Sequence, residues 1–183
     1  MSAIPGKAPS VKLPPQIDSG SELLLEELGR LLTVEETLAK VLLPELLREL
    51  QDAELQKAVD DHLQETRGHA GRVKEAFLAV GAMPAGRPAY GLEGLRVEHK
   101  ALAPQVVPGA RSVVHCAAAM GVEHYEINAY DSAIGLARAL GAQEVERLLR
   151  ANLDQEVAAL QTLGQHASRL AHLAVQERTV SQT

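Results

Sequence analysis

The sequence predicts an all-α protein, and composition, periodicity and connection order lead to this prediction. Hydrophobic residues make up 46% of the 183 positions, and only three Tyr and one Phe are aromatic. The apolar residues are mostly Leu, Ala and Val, a balance that favours close helix packing over a β-sheet. They recur at steps of three and four, which is the period of one helix face. The length suits about one domain with a sizeable core.

The first predicted helix follows a proline-rich arm. Residues 1–20 hold four prolines and little apolar material, which is typical of a disordered arm. Ser19, with Glu22 three residues later, resembles the capping box that opens a helix. One face of this helix then carries Leu24, Leu28, Leu31, Glu35, Leu38, Leu42 and Leu46. Pro44 should bend the helix or interrupt one hydrogen bond without necessarily ending it.

A second helix is predicted from about residue 53 to 80, where Gly81 closes it. The next segment, from Gly81 to Pro108, is rich in glycine and proline and has one short helix near residues 92–102. It is long enough to cross from one end of a helical bundle to the other.

The third helix should run from about residue 110 to 140, and the fourth from about 143 to 173. The bundle domain would span residues 21–175, and the polar residues 176–183 would form a frayed tail. The order is helix, short turn, helix, long crossover, helix, short turn, helix. This is the order of a ferritin-like, up-down-down-up four-helix bundle with a short additional helix.

The net charge and the cysteine content indicate which partners and which cellular compartment the protein has. A net charge of −6 without clustered Lys and Arg argues against nucleic-acid binding. No stretch approaches a membrane span, and the first residues lack the apolar region that is typical of a signal peptide. Cys116 is the single cysteine, so a reducing compartment is the simpler assumption. These features predict a cytoplasmic protein with neither membrane nor nucleic acid as a partner.

Two pairs of glutamates, each separated by thirty positions, are the main indication of function. Glu35 and Glu65 form one pair, and Glu126 and Glu156 form the other. Each follows the apolar face of its helix, where a buried carboxylate is costly unless something compensates its charge. Two divalent cations would balance four carboxylates, and glutamate with imidazole suits iron or manganese. The sequence therefore predicts a dinuclear metal site inside the bundle.

The predicted ligands are unevenly distributed between two helical hairpins, one formed by the first and second predicted helices and the other by the third and fourth. Glu35 and Glu126 would be single donors, whereas Glu65 and Glu156 would be central and able to bridge two metals. His62 and His69 share the face of Glu65, and we rank His62 first, with His69 as the alternate ligand. The fourth helix has no histidine near Glu156, so the second metal would depend on Glu123 or water.

Each of these residues also has a simpler interpretation. A single glutamate on a helix face is usually solvated at the edge of the apolar stripe, and a lone histidine is more often a hydrogen-bonded core residue than a ligand. Tyr130 is interpreted as core packing, although it could hydrogen-bond a ligand carboxylate. Cys116 is interpreted as a small buried apolar residue.

Three short motifs resemble a known family. HLQET at residues 62–66, VEHYEINAY at 122–130 and LDQE at 153–156 are similar to the YciE and YciF stress-response proteins of the ferritin-like superfamily. The resemblance covers about residues 22–170. It implies a ferritin-like bundle, a homodimer, a candidate dimetal centre and a role in stress, without a settled reaction. The acids of the family fall on Glu35, Glu65, Glu126 and Glu156.

The sequence departs from the family at three places. Gln155 stands where the family commonly has a further acid, and Leu160 replaces an Asp, so the second metal site should be weaker than the first. One extra residue near Leu43 and Pro44 leaves Glu36 as a rival to Glu35. Glu35 is preferred because it lies on the apolar stripe.

These observations support two functional hypotheses. The leading one is a stress protein that binds iron or manganese and reacts with a small oxidant such as oxygen or peroxide. The alternative is a helical dimer that acts as a structural or interaction module with a degenerate metal site.

Overall fold

The computed structural model describes residues 16–180, with side chains described to residue 176. This part of the chain forms helices and no strand, so the all-α prediction is confirmed. The α-helices are α1 Gly20–Thr37, α2 Leu43–Glu49, α3 Ala53–Ala79, α4 Tyr90–Leu102, α5 Arg111–Ala139 and α6 Gln143–Val180. A π-helical turn at Leu38–Leu42 joins α1 to α2, and 3-10 turns at Ala103–Gln105 and Pro108–Ala110 join α4 to α5. Most of the predicted arm, residues 1–15, lies outside the described residues.

The four long helices form a bundle in which α1 and α6 each pack against both α3 and α5. Apolar side chains fill the interior as two separate clusters. One includes Leu28, Phe77 and Leu149, and the other includes Leu55 and Leu163. The order of connections is the predicted one. No helix in the described part of the chain is long and apolar enough to cross a membrane.

Local sequence signals fix three of the helix ends. The Ser19 hydroxyl accepts a hydrogen bond from the Glu22 backbone N–H at 3.2 Å and begins α1. Asp52 does the same for Leu55 at 2.9 Å and begins α3. Gly81 follows α3 with a φ of +74°, a left-handed conformation that glycine adopts without a steric penalty.

The π-helical turn explains how the first helix passes Pro44. Proline has no N–H, and its ring collides with the carbonyl four residues earlier in a regular α-helix. Here the Leu43 N–H reaches back five residues to the Leu38 carbonyl, so the helix widens just before the proline and continues to Glu49. The prediction that Pro44 does not end this helix is confirmed.

The crossover segment lies directly on α1. The Arg87 backbone N–H donates a hydrogen bond to the Gly29 carbonyl at 2.9 Å. A Cβ atom at Gly29 would lie only 2.8 Å from the Ala85 carbonyl oxygen. Glycine at position 29 is therefore what allows this close approach.

The last helix is longer than predicted. It extends through Val180, past the predicted end at 173 and into the residues assigned to a frayed tail. The polar residues there, such as Gln176 and Glu177, are good helix formers and need no apolar stripe to continue a helix. Residues 181–183 lie outside the described part.

Candidate metal centre

A layer of polar side chains crosses the bundle between the two apolar clusters. Every long helix contributes to it, and all six members are buried: Glu35 from α1, His62 and His69 from α3, Glu123 and Glu126 from α5, and Glu156 from α6. The apolar stripe of each helix is interrupted at the same level of the bundle. Side chains that are distant in the sequence therefore meet in one interior layer.

The layer contains two groups with metal-binding potential, in each of which one ligand atom per residue lies within 4.8 Å of the others. The first group is His62, Glu123, Glu126 and Glu156, and the second is Glu35, His69 and Glu156. His62 Nε2 lies 3.3 Å from Glu123 Oε1 and 3.7 Å from Glu156 Oε2. His69 Nδ1 lies 2.6 Å from Glu156 Oε1 and 3.5 Å from Glu35 Oε2. Glu156 thus belongs to both groups.

Most of the potential metal-ligating atoms of this layer lack hydrogen-bond partners. Among the described residues, eight of its buried side-chain atoms have no hydrogen-bond partner of acceptable geometry, including both oxygens of Glu126 and of Glu156. An unsatisfied buried polar atom costs about 1–3 kcal/mol, and more if charged. Carboxylate oxygens and imidazole nitrogens are ligands that iron and manganese accept. The residues present therefore fit a pair of divalent cations.

Protonation limits the charge of the layer when no cation is bound. Burial raises the pKa of Glu123 and Glu126 well above the ordinary value, and the neighbouring Glu156 adds to this. Burial opposes ionisation of Glu156 as well, but His69 lowers its pKa. Burial likewise disfavours the charged form of His69, but Glu156 and Glu35 outweigh it and raise the pKa of His69 to about 10. These shifts favour an ionic Glu156–His69 pair and the protonated forms of Glu123 and Glu126.

Two further buried side chains hold this layer in place. The Tyr130 hydroxyl donates a hydrogen bond to Glu35 Oε1 and accepts one from Asn152 Nδ2 at 2.8 Å. Asn152 also donates to the backbone carbonyl of His69 at 3.3 Å. The sequence suggested that Tyr130 could hydrogen-bond a ligand carboxylate, and it does so to Glu35 on the neighbouring helix α1.

Sequence reasoning missed a polar network behind His69. Arg72 donates to Asn152 Oδ1 and to Gln155 Oε1, and that amide oxygen lies 3.1 Å from His69 Nε2. A partner on Nε2 leaves Nδ1 facing the carboxylates, as is common for a histidine that binds a metal. The available signal was the position of Arg72, three residues after His69 and therefore near it on the helix surface.

Glu65 does not lie at the centre, and the prediction that it does is wrong. Its side chain is 43% exposed, and its carboxylate is 3.7 Å from His62 Nδ1, on the outer side of that ring. At about 100° per residue, Glu65 falls roughly 90° from the middle of the buried face of α3. Glu156 alone is shared by the two groups, and each group draws residues from both hairpins. Unequal affinity of the two groups stays a prediction.

Two other assignments follow directly from the structure. Glu36, the rival of Glu35, faces outward and pairs with Lys40 at 2.9 Å and Lys74 at 2.6 Å. Cys116 is fully buried, and burial raises the pKa of its thiol to about 11, so it is the small buried apolar residue that the sequence predicted.

A cavity connects the polar layer with the surface of the bundle. It measures about 240 Å³ and is lined by His62 and Glu123 on the inner side and by Asp61 and Glu65 among its other residues. Its volume is below the roughly 300 Å³ at which pockets for drug-sized ligands begin. The cavity suits cations, water and small oxidants.

The fold and this layer define a class of protein, the four-helix bundles with a buried layer of carboxylates and imidazoles. Residues 19–176 match the family described as "Domain of unknown function (DUF892)", so the chain belongs to this family. Protein YciF of Escherichia coli (strain K12) is 30% identical over 118 residues, which cover 63% of this chain and 71% of that protein. The resemblance inferred from the three motifs is confirmed.

Solved structures agree with this assignment. YcfI from Rhodopseudomonas palustris, to which a structural role is attributed, aligns with a TM-score of 0.79 and 29% identity over 83% of this chain and 97% of its own. The E. coli stress protein YciF aligns with a TM-score of 0.78 and 26% identity over 85% and 99%. A protein from Xanthomonas campestris pv. campestris, at 16% identity and a TM-score of 0.70 over 88% and 99%, shares the fold.

Proposed function

We propose that this protein binds two iron or manganese ions in its central polar layer and reacts with oxygen or peroxide during stress. The observation that supports this most directly is the set of eight buried side-chain atoms without a hydrogen-bond partner of acceptable geometry, six of which lie outside the Glu156–His69 contact. The link to stress comes from the similarity to YciF, which is described as a stress protein. Cations would satisfy these atoms and balance the carboxylates at once.

The roles of individual residues follow from their positions. Iron or manganese bound in this layer would supply electron exchange with the oxidant. Glu156 is within reach of both ligand groups and would be shared between the two ions. Tyr130 and Asn152 hold Glu35 and the α3 backbone at fixed positions. The apolar clusters above and below shield the two ends of the layer from bulk water, and the cavity beside His62 leaves one side open.

The cavity beside His62 would be the route of entry. Asp61 and Glu65 line it, and carboxylates at the mouth of a cleft raise the local concentration of cations. Glu65 would attract the ion and orient the His62 ring, instead of being a central ligand. The small volume favours oxygen or peroxide over an organic substrate.

We further propose that the protein acts as a cytoplasmic homodimer. The dimer follows from the family resemblance and is the commonest closed assembly. The cytoplasmic location follows from the single cysteine, which needs no oxidising compartment.

A structural or interaction module is the second candidate function. The structural role attributed to the R. palustris relative favours it, as does the Glu156–His69 pair, which compensates part of the buried charge without a cation. In this case the polar layer would be a remnant of a metal site.

Thermal melting of metal-depleted protein distinguishes the two functions. A cation that binds only the folded state at a hundredfold excess over its Kd contributes about 2.7 kcal/mol, or roughly 5–10 °C for a chain of this size. We expect such a rise with Fe²⁺ without oxygen and with Mn²⁺. Glu156→Ala should abolish it, whereas Glu75→Ala, an exposed change on α3, should not.

An unchanged melting temperature of the wild type would favour the structural module. Oxygen uptake by the iron-loaded protein then tests the chemistry separately, since binding without oxygen or peroxide consumption would contradict the redox half of the proposal.

A further inference from the structure

A third group of potential ligands lies away from the bundle centre, where α2, α4 and α5 meet. Glu49 ends α2, His99 lies in the last turn of α4, and His115 lies in the first half of α5. One ligand atom from each lies within 4.8 Å of the other two. We propose that these three residues bind one divalent transition metal of the Zn²⁺ or Fe²⁺ type. This site has no residue in common with the central groups and is independent of the proposed function.

The two imidazoles already face each other at nearly the required distance. His99 Nε2 lies 2.8 Å from His115 Nδ1, a contact that a single shared proton can hold together. Two nitrogens bound to one zinc ion at about 2.05 Å in a tetrahedron are roughly 3.3 Å apart. The two imidazole nitrogens would therefore have to move apart by only about half an ångström for a cation to take the place of the proton.

Glu49 completes the set from the solvent side. Its Oε2 lies 3.9 Å from His115 Nδ1, and its side chain is 53% exposed, so it can rotate toward the imidazoles. Two histidines and one carboxylate that leave further positions open are a common ligand set for zinc and for ferrous iron. A neighbouring cavity of about 320 Å³, also lined by Glu49 and His115, has room for the water molecules that would fill those positions.

The protonation of His115 and the nearby Arg111 and Lys100 side chains are compatible with cation binding at this site. Burial lowers the pKa of His115, and His99 beside it adds to this, which favours the neutral imidazole that a metal needs. The positive charge of Arg111 also lowers the pKa of His115, while its Nε donates to the Val106 carbonyl at 3.2 Å. Lys100, next to His99, pairs with Glu45 at 3.1 Å and not with Glu49.

Cobalt titration can isolate this site from the central one. Glu156→Gln removes the residue shared by both central groups, and Co²⁺ absorbs visible light according to its ligands. In full-length Glu156→Gln protein we expect one Co²⁺ per chain, displaced by Zn²⁺. Adding His99→Gln should weaken this binding by at least about tenfold, which is what even an outer partner of a metal ligand contributes.

A matched control and a second variant keep the test decisive. His172→Gln changes an exposed histidine on α6 and should leave cobalt binding unchanged. Glu49→Gln, at an exposed position, should weaken binding without altering the circular dichroism of the metal-free protein. If Glu156→Gln does not fold, the comparison is made in the wild-type background, where His99→Gln should lower the stoichiometry by one. Cobalt binding that is absent, or unaffected by both His99→Gln and Glu49→Gln, would overturn the proposal.

Discussion

At the residue scale, Glu126 shows most clearly that the polar layer is not built for stability. It is fully buried in the bundle, and both of its carboxyl oxygens lack hydrogen-bond partners. Burial raises its pKa well above the ordinary value. A leucine or methionine would pack there without these costs. Residues that destabilise a fold in this way are typical of functional sites.

Replacing Glu126 should therefore separate stability from metal binding. Methionine has a similar unbranched shape, so Glu126→Met should raise the free energy of unfolding of metal-free protein by about 1–3 kcal/mol, because it removes an unsatisfied buried carboxyl. The same variant should lose most of the stabilisation by Mn²⁺. Urea denaturation with and without the ion measures both effects.

The exposed Glu75→Met is the matched control and should change neither quantity appreciably. If Glu126→Met instead destabilised the metal-free protein and kept the full response to Mn²⁺, Glu126 would be a structural residue and not a ligand.

At the element scale, periodicity and end signals predicted the long helices well. Ser19 and Gly81 act through local geometry, so their effect is visible in sequence alone. The error at Glu65 has another cause, because steps of three and four leave a residue at the edge of a helical stripe undetermined. Only tertiary packing decides which edge faces the interior.

The packing of the crossover on α1 gives a prediction at this scale. Gly29→Ala should destabilise the protein by about 1–3 kcal/mol, because the added methyl group meets the Ala85 carbonyl oxygen and the Arg87 side chain. Thermal or urea denaturation measures the loss.

Gly71→Ala is the opposite case within the same bundle. Nothing lies within 4 Å of the added methyl group in α3, so this change should stabilise by up to about 1 kcal/mol through helix propensity. Equal effects of the two substitutions would show that the crossover is not held against Gly29.

At the scale of the whole molecule, the proposed dimer is testable by mass. Light scattering during size exclusion should give about twice the chain mass of 19.6 kDa. A particle of a dozen or more chains would contradict the dimer and, if it took up hundreds of iron atoms, would replace small-scale redox chemistry by iron storage.

The division of the core into two apolar clusters has a consequence for how the helices find their alignment. Leucine packs against leucine in many offsets, so an uninterrupted apolar core would tolerate one helix sliding along another. Here a slide by one turn, about 5.4 Å, would press a carboxyl group into leucines and leave its former neighbours without their partners. The polar layer therefore fixes the longitudinal register of all four helices before any ion binds.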